Sequence, residues 1–413
     1  LTRQLTAEDM TIHYTEDVAQ LPDDIDLVVY TPAVPASHAE LVHLREQGLP
    51  VYKRSQVLGV ISEGMHTIAI AGTHGKTTTT SMLALIALDA GMSPSLVVGA
   101  DPNELGVGAV WGDGDVFVVE ADESDGTFLE LGAEVAIVTN IEPDHLEYYG
   151  SYEALLAAFG RFLAEAAGPR IVCADDEVAA RVGREVGAVS YGEAEDADYR
   201  LVDPVVERNG TTFSVQHDGS DLGRVHLPVP GRHNALNAAA ALVTGLELGA
   251  SFEACRTALE RFAGVARRFE FRGEANGITF VDDYAHLPTE VAAALEAASE
   301  GAWGRVVCVF QPHRFSRMAD LWQDFGPAFD EADLLVVTDI YPAGEAPRPG
   351  VSGKLIVNAV LDADPWRALA YLPKRPDLVP YLCSVLRPGD LCLTLGAGDL
   401  TSLADEVQAA LRS

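Results

Sequence analysis

The stretch IAIAGTHGKTTTTSML, residues 68–83, decides the fold of the central part of this chain. An apolar run ends at Gly72, a second glycine follows at Gly75, and Lys76 and Thr77 then open a helical pattern. The usual phosphate-binding loop reads G-x-x-x-x-G-K-[ST], so this loop is two residues shorter than the usual one. The order of strand, glycine loop and helix is nevertheless the context in which such loops bind phosphate. We therefore predict a phosphate loop; the alternative is an ordinary glycine-rich turn with an incidental lysine.

The predicted loop has a definite chemistry. Its lysine reaches the β- and γ-phosphates of a nucleotide, its threonine hydroxyl is a ligand for Mg²⁺, and free N–H groups at the start of the helix attract phosphate. The residues that we assign to it are Gly72, Thr73, His74, Gly75, Lys76, Thr77 and Thr78.

The charge of the chain limits its partners. It has 413 residues, of which 62 are acidic and 28 are basic, for a formal net charge of −34. Binding to nucleic acid depends on neutralising phosphates with lysine and arginine, so a nucleic-acid partner is not expected. If the loop binds a nucleotide, Mg²⁺ and a few clustered basic side chains must reverse the field locally.

Composition also suggests the compartment. No run of 18 or more apolar residues occurs, and the first ten residues lack the basic and apolar regions of a signal peptide. The five cysteines form no C-x-x-C pair, which disfavours a zinc cage and a disulfide framework, so we expect them to be reduced and mostly buried. We expect a cytoplasmic protein that does not insert into a membrane.

The pattern of strands and helices predicts an α/β protein with three domains, which we place at residues 1–62, 63–264 and 265–413. The first contains a buried-strand pattern at 24–32 but no glycine-rich strand-to-helix turn before it. We therefore expect a Rossmann-like domain whose N-terminal part is missing. The central domain carries the phosphate loop on a mostly parallel sheet, with an antiparallel strand at 211–216, and the last domain is again Rossmann-like.

Four acidic residues follow a predicted strand of the central domain: Glu120, Asp122, Glu123 and Asp125. Such a cluster is usually a solvated loop. Next to a triphosphate, however, one or two carboxylates are what Mg²⁺ prefers. We predict Glu120 as the metal ligand, because the strand fixes its position best.

Polar residues follow the next strand as well, with Asn140, Asp144 and His145 at its exit. The carboxyl ends of parallel strands share one edge of the sheet, so His145 is a candidate ligand for a second cation. A solvated surface histidine is the alternative.

Further on, Asn234 and Asn237 lie three positions apart at a helix start. Asparagine there can cap the helix N-terminus or form hydrogen bonds with the edge of a base.

Basic side chains cluster at two later places in the chain. The residues concerned are Arg267, Arg268, His313, Arg314 and Arg317. The first two lie at the predicted junction of the central and last domains, and the others follow a strand. With so few basic residues in the chain, these clusters are the counter-charge that a polyanionic ligand needs.

Taken in order, nine segments resemble the alanine-adding branch of the Mur ligase superfamily, and the resemblance spans essentially the whole chain. The segments are AGTHGKTTTT, VEADESDGTF, TNIEPDHLEYY, GRHNALNAAAA, GVARRFE, VDDYAHLPTE, FQPHRFSR, DIYPAGE and LGAGDL. The short loop G-T-x-G-K-T is typical of the superfamily, and EADESD, RRFE with DDYAH, and FQPHR are typical of the alanine-adding branch.

The resemblance implies a cytoplasmic enzyme of peptidoglycan synthesis that binds ATP, Mg²⁺, UDP-N-acetylmuramate and L-alanine, as a monomer or a homodimer. The lactyl carboxylate attacks the γ-phosphate, which gives an acyl phosphate and ADP, and the amine of alanine then displaces phosphate. This chemistry needs cations around a transfer between anions.

The resemblance also implies roles for individual residues. Lys76 and Thr77 hold the phosphates and the first Mg²⁺, with Glu120 near that metal, and His145 is a second metal ligand. The residues implied in contacts with adenine, ATP and ribose are Asn234, Asn237, Arg268 and Asp283. Those implied in binding the acceptor, alanine or the acyl phosphate are Asn140, His145, His286, His313 and Arg314. The implied catalytic set is Lys76, His145, His286 and Arg314.

Two departures from the family pattern stand out. Leu287 replaces the second histidine of the usual Y-A-H-H-P-T-E, and the glycine-rich turn for the UDP diphosphate is absent from the start of the sequence. Two other functions remain open: a ligase that recycles murein tripeptide, and a nucleotide-dependent switch without turnover. Alanine-dependent phosphate release distinguishes the first, and ATP binding without turnover the second.

Overall fold

The computed structural model of this chain describes residues 2–31, 34–100, 102–103 and 106–412. In these residues, three sheets of two, ten and six strands follow one another along the chain, each with helices packed on it. The α/β architecture and the mostly parallel central sheet are therefore confirmed. The domain boundaries that we place at 62 and 264 stay a prediction.

The first unit is small. Its helices and strands are α1 Thr2–Ala7, β1 Val28–Tyr30, α2 Ala39–Glu46, β2 Val51–Lys53 and α3 Arg54–Ser62. β1 and β2 pair in parallel. The buried strand predicted at 24–32 is shorter than expected, and its last residue, Pro32, lies outside the described residues. The strand is not buried either, since Val29 is 47% exposed.

The central unit holds the ten-stranded sheet. Its strands are β3 His66–Ala71, β4 Ser95–Val97, β5 Ala109–Val110, β6 Val116–Glu120, β7 Val135–Val138, β8 Arg170–Cys173, β9 Val189–Gly192, β10 Tyr199–Glu207, β11 Gly210–His217 and β12 Ser220–Leu227. Its helices are α4 Lys76–Asp89, α5 Leu146–Tyr149, α6 Tyr152–Glu165, α7 Glu177–Glu185, α8 Arg232–Glu247 and α9 Phe252–Glu260. The strand order is β12-β11-β10-β9-β8-β7-β3-β6-β4-β5.

This sheet is parallel from β4 to β10 and antiparallel at both edges. The antiparallel strand predicted at 211–216 is confirmed as β11. Side chains alternate between the two faces of β3, as the pleat requires. Ile68 and Ile70 pack under α4, α8 and α9, whereas Ala69 and Ala71 face the cluster of α6 and α7. Helices thus bury both faces, which is the usual condition for a parallel sheet.

The last unit holds the six-stranded sheet. Its strands are β13 Glu270–Ala275, β14 Ile278–Asp283, β15 Arg305–Phe310, β16 Leu334–Val337, β17 Leu369–Tyr371 and β18 Asp390–Leu395. Its helices are α10 Pro288–Ser299, α11 Phe315–Leu321, α12 Lys354–Ala363, α13 Leu378–Val385 and α14 Leu403–Arg412. The order is β13-β14-β18-β15-β16-β17, antiparallel only at β13.

Two further expectations can be compared with the fold. The five cysteines are free thiols and four of them are buried, as the sequence predicts. Within the described ranges, no helix is both long enough and apolar enough to span a bilayer.

Candidate functional site

The glycine loop connects β3 to α4, and both of its glycines are required by the backbone. Gly72 has φ 132° and Gly75 has φ 82°, conformations that residues with a Cβ rarely adopt. A Cβ on Gly72 would lie 2.1 Å from Thr139 Oγ1, and one on Gly75 would lie 2.3 Å from Asn237 Oδ1. The loop therefore packs directly against the end of β7 and against the start of α8.

Residues at the end of β7 hold the loop in place. The side-chain oxygen of Asn140 accepts a hydrogen bond from the His74 N–H at 2.8 Å, and its NH₂ group donates to the His74 carbonyl at 3.1 Å. The Thr139 hydroxyl also donates to that carbonyl, at 2.5 Å. Asn140 therefore lies beside the phosphate loop and fixes its shape. Its predicted contact with substrate stays a prediction.

Lys76 begins α4 and is only 14% exposed. Its ammonium donates to the carbonyls of Gly72 and Thr73, and its Nζ lies 3.0 Å and 2.9 Å from the two carboxylate oxygens of Glu123. Burial opposes the charge, but Glu123 and Glu120 outweigh it and raise the pKa of Lys76. The lysine is therefore cationic at the point where a phosphate loop needs it. Sequence reasoning noted Glu123 among four acids but did not single it out.

The predicted metal ligands Thr77 and Glu120 lie together on the other side of the loop. The Thr77 hydroxyl donates to Glu120 Oε1 at 3.1 Å, and the Gly99 N–H donates to Glu120 Oε2 at 2.7 Å. Across the described residues, no group of three or more acidic, histidine or cysteine side chains is arranged so that it could hold a metal ion by itself. A hydroxyl and one carboxylate fit Mg²⁺, which usually takes one or two carboxylates and completes its shell with phosphate and water.

A cavity of about 240 Å³ lies beside the loop, between α8 and α10. It brings together eight of the residues predicted from the sequence: His74, Gly75, Thr78, Asn140, Asn234, Asn237, Arg268 and Asp283. The NH₂ group of Asn234 donates a hydrogen bond to the Pro230 carbonyl at 2.7 Å, and Asn237 Oδ1 accepts one from the Thr79 hydroxyl at 3.3 Å. Burial, with Arg268 nearby, lowers the pKa of His233 to about 4, so the His233 side chain in this wall is neutral.

Arg268 and Asp283 reach the cavity from the last unit. The two oxygens of Asp283 accept from the Phe269 N–H and the Ala285 N–H, each at 2.7 Å. Burial raises the pKa of Asp283 to about 6, against the influence of Arg268. The Arg268 guanidinium stacks over the Tyr284 ring at 5.1 Å. These residues form the junction between the central and last units.

A second cavity, of about 460 Å³, lies against Thr77 and Glu120. Its wall includes Arg54, Leu58, Thr77, Glu120, Arg268 and Tyr284. All three units therefore contribute to it. Arg268 lines both cavities, so its side chain is common to the two walls.

The remaining predicted residues meet at a third place, where α11 approaches the loop after β7. Arg317 Nη2 lies 3.6 Å from Asp144 Oδ2, and Asp144 Oδ2 is 3.4 Å from His145 Nε2. Arg317 Nη1 is 3.1 Å from His313 Nδ1, and the rings of His313 and His286 are 5.5 Å apart. The central unit and the last unit thus share this cluster.

Two histidines of this cluster, His286 and His313, are neutral. Burial lowers the pKa of His286 to about 4 and that of His313 to about 3, with Arg317 acting in the same direction on both. Next to them, the Nε of Arg314 is buried and has no hydrogen-bond partner among the described residues. A buried guanidinium nitrogen without a partner fits a site that receives a carboxylate.

One contact between units was missed from the sequence. His74 of the phosphate loop lies 3.2 Å from Glu290 on α10 and 3.2 Å from Glu142 in the loop after β7. Although burial opposes it, these carboxylates raise the pKa of His74 to about 9. Glu290 is far from His74 in the sequence, and no local spacing pattern marks the pair.

This fold and these cavities define a phosphate-loop nucleotide-binding protein of three α/β units. The family models agree with that class: Mur ligase family, catalytic domain, matches residues 1–66; Mur ligase middle domain matches 70–245; and Mur ligase, glutamate ligase domain, matches 267–398. The chain belongs to the Mur ligase family.

Individual relatives agree over the full length. A UDP-N-acetylmuramate–L-alanine ligase of Pelotomaculum thermopropionicum is 44% identical over 416 residues, with 100% of this chain and 90% of the relative covered. One of Thermobifida fusca is 41% identical, with 100% and 89% covered. The crystal structure of a UDP-N-acetylmuramate–alanine ligase from Thermotoga maritima superposes with a TM-score of 0.84 at 29% identity, covering 100% of this chain and 90% of that one.

Proposed function

We propose that this chain is an ATP-dependent ligase that joins L-alanine to the lactyl carboxylate of UDP-N-acetylmuramate in peptidoglycan synthesis. The observation that carries the proposal is the position of the phosphate loop between two cavities that share Arg268. A nucleotide on one side and a carboxylate acceptor on the other are then close enough for phosphoryl transfer. The full-length similarity to alanine-adding ligases supports the substrates.

ATP occupies the smaller cavity in this proposal. Asn234 and Asn237 line it at the start of α8, next to Gly75, where their amide groups can face the edge of adenine. In this placement, the buried carboxylate of Asp283 lies near the ribose. The triphosphate then follows the N-terminus of α4, where Lys76 and free N–H groups stabilise its negative charge.

Thr77 and Glu120 would hold Mg²⁺, and His145 is proposed as the ligand of a second cation. When bound, Mg²⁺ neutralises charge on the β- and γ-phosphates during transfer. The chain's own residues orient the acceptor in the larger cavity, where Arg54, Arg267 and Arg268 are the cations that can face its anionic groups.

The reaction has two steps. The lactyl carboxylate attacks the γ-phosphorus of ATP, the bond to the bridging oxygen breaks, and an acyl phosphate and ADP result. The neutral amine of alanine then attacks the acyl carbon, the carbon–oxygen bond to phosphate breaks, and the amine loses a proton as the amide forms. Phosphorylation is needed because a carboxylate is otherwise a poor acyl donor.

We place alanine in the cluster where α11 meets the loop after β7. In this placement, the guanidinium of Arg314, whose Nε has no hydrogen-bond partner among the described residues, binds the alanine carboxylate. The neutral His286 donates its Nδ1–H to the Tyr284 carbonyl, which leaves its Nε2 to accept a hydrogen bond from the amino group. The neutral His313, whose Nδ1 accepts from Arg317, does not repel that group. Closure of the last unit over this site would keep water from the acyl phosphate.

The two other functions considered are less well supported. A murein peptide ligase of Psychrobacter arcticus has a TM-score of 0.71 but 24% identity, a likeness that concerns the fold alone. A non-catalytic switch does not account for the retention of Lys76, Glu120, His145 and Asp283 together. We expect the reaction in the cytoplasm, where ATP and nucleotide sugars are found, by a monomer or a homodimer without nucleic acid.

The test is a product assay with the purified protein, ATP, Mg²⁺ and UDP-N-acetylmuramate. L-alanine should stimulate phosphate release and yield an adduct that is heavier by one alanyl residue, and murein tripeptide should not. Release with tripeptide but not with alanine would refute the proposal in favour of the recycling ligase. Binding of ATP without any release would favour the switch.

A further inference from the structure

The carboxylate of Glu290, in the first turn of α10, is buried between the last unit and the phosphate loop. It is 11% exposed, and its two oxygens have different partners. Oε2 accepts from the N–H groups of His286 at 2.9 Å and Leu287 at 3.1 Å. Oε1 lies 3.2 Å from Nδ1 of His74 and 3.9 Å from Nη1 of Arg268.

The contacts of Oε2 alone have an ordinary structural explanation. A glutamate three residues after the N-cap commonly accepts from the N-cap backbone, which stabilises the helix start. Leu287 is the N-cap of α10, so this bond is a capping contact. Capping does not require the other oxygen, which leaves the contact with His74 to be explained.

The charges around Glu290 favour the ion pair. Although burial opposes ionisation, the cationic His74 and Arg268 hold the pKa of Glu290 well below its ordinary value. On the other side of His74, Glu142 lies 3.2 Å away and accepts from the Thr289 hydroxyl at 2.8 Å. The contacts of Glu290 with His74 and of Thr289 with Glu142 both join α10 to the central unit. More than one bond therefore holds α10 against the phosphate loop.

We propose that Glu290 is a positioning residue that couples the phosphate loop to the amino-acid site. One oxygen fixes the backbone of His286 in the alanine cluster, and the other fixes His74 in the loop that holds the nucleotide phosphates. The two substrate sites are thereby set in register only when α10 is docked on the loop. This inference rests on the proposed function for the identity of the substrates.

The expected signature is coupling between the two sites. Glu290→Gln keeps an acceptor for the capping contact, since glutamine serves this position as well as glutamate does, but removes the charge that faces His74. We expect kcat/KM to fall about tenfold or more for both ATP and L-alanine. His74→Gln should produce a similar loss, and the double variant should be no worse than the more impaired single variant, because both changes remove the same contact.

Glu296→Gln is the matched control, because Glu296 is exposed on the same helix. It should stay within twofold of the unchanged protein. A Glu290→Gln variant that also stays within twofold would overturn the proposal, and so would losses that multiply in the double variant. A loss limited to thermal stability, with both kcat/KM values retained, would assign Glu290 to capping alone.

Failure of the proposed function leaves this test intact. If the unchanged protein shows no alanine-dependent phosphate release, four proteins are compared by titration with a non-hydrolysable ATP analogue: the unchanged protein, Glu290→Gln, His74→Gln and the double variant. Non-additive losses of affinity in the His74 and Glu290 variants would still support the coupling to the loop. Equal affinities in all four would refute it.

Discussion

Replacing Glu123 by glutamine should destabilise the nucleotide-free protein and strengthen nucleotide binding. Glu123 is 4% exposed and pairs with Lys76, and removing one partner of a buried ion pair costs about 3–5 kcal/mol. The carbonyls of Gly72 and Thr73 still accept from the ammonium, and glutamine keeps an acceptor oxygen, so we expect a cost below that range, about 2–3 kcal/mol.

Bound nucleotide changes this balance, because a phosphate then pairs with Lys76. The loss of unfolding free energy should shrink to about 1 kcal/mol, and the difference appears as affinity. At about 1.4 kcal/mol per tenfold, ADP should bind roughly tenfold more tightly to Glu123→Gln than to the unchanged protein.

The assay combines denaturant unfolding with and without ADP and calorimetric titration of ADP. Glu130→Gln is the control, since Glu130 is exposed and follows Glu123 in the chain after β6. It should change neither the free energy of unfolding nor the affinity for ADP. Unchanged stability would show that the ion pair contributes nothing net. Weaker ADP binding would refute the reasoning. It would show that Glu123 holds Lys76 in position for the phosphate and does not compete with the phosphate for that ammonium.

Three further predictions follow from the same geometry. Gly75→Ala should lose nucleotide binding by tenfold or more, because its Cβ would lie 2.3 Å from Asn237 Oδ1; Gly64→Ala, at a similar φ of 83° but with open space around it, should bind normally in the same titration. The stabilisation from protonated His74 should be full below about pH 6.5 and be lost as the pH rises through about 9, and unfolding of His74→Gln should lack this loss. Arg314→Lys should raise KM for L-alanine at least tenfold with little change in KM for ATP, since a single ammonium cannot form the bidentate contact with a carboxylate; equal changes in both would contradict its placement in the alanine cluster.

The phosphate loop and the type of fold could be predicted from the sequence because their signals are local. An apolar run, two glycines and a lysine within nine residues specify a strand, a turn and a helix start, and the structure has β3 and α4 at those positions. The pairing of Thr77 with Glu120 also follows from a local rule, since β3 and β6 are adjacent parallel strands whose ends meet at one edge.

The contacts across units could not be predicted in this way. His74 and Glu290 are 216 positions apart, and their proximity depends on how α10 docks on the loop, which no periodicity encodes. The same is true of Arg317 and Asp144. Within the acidic segment, sequence reasoning chose the residue fixed by the strand, Glu120, and a turn of backbone then places Glu123, three residues later, against Lys76.

The position of Arg268 has a consequence for inhibitor design. Because this one guanidinium lines both the cavity beside α8 and the cavity that all three units share, it is a common anchor for two chemically different fragments. A molecule with a flat heterocycle in the smaller cavity, a carboxylate or sulfonate at Arg268, and a polar extension into the larger cavity would exclude both substrates at once. With the substrates placed as proposed, such a molecule should compete with each of them.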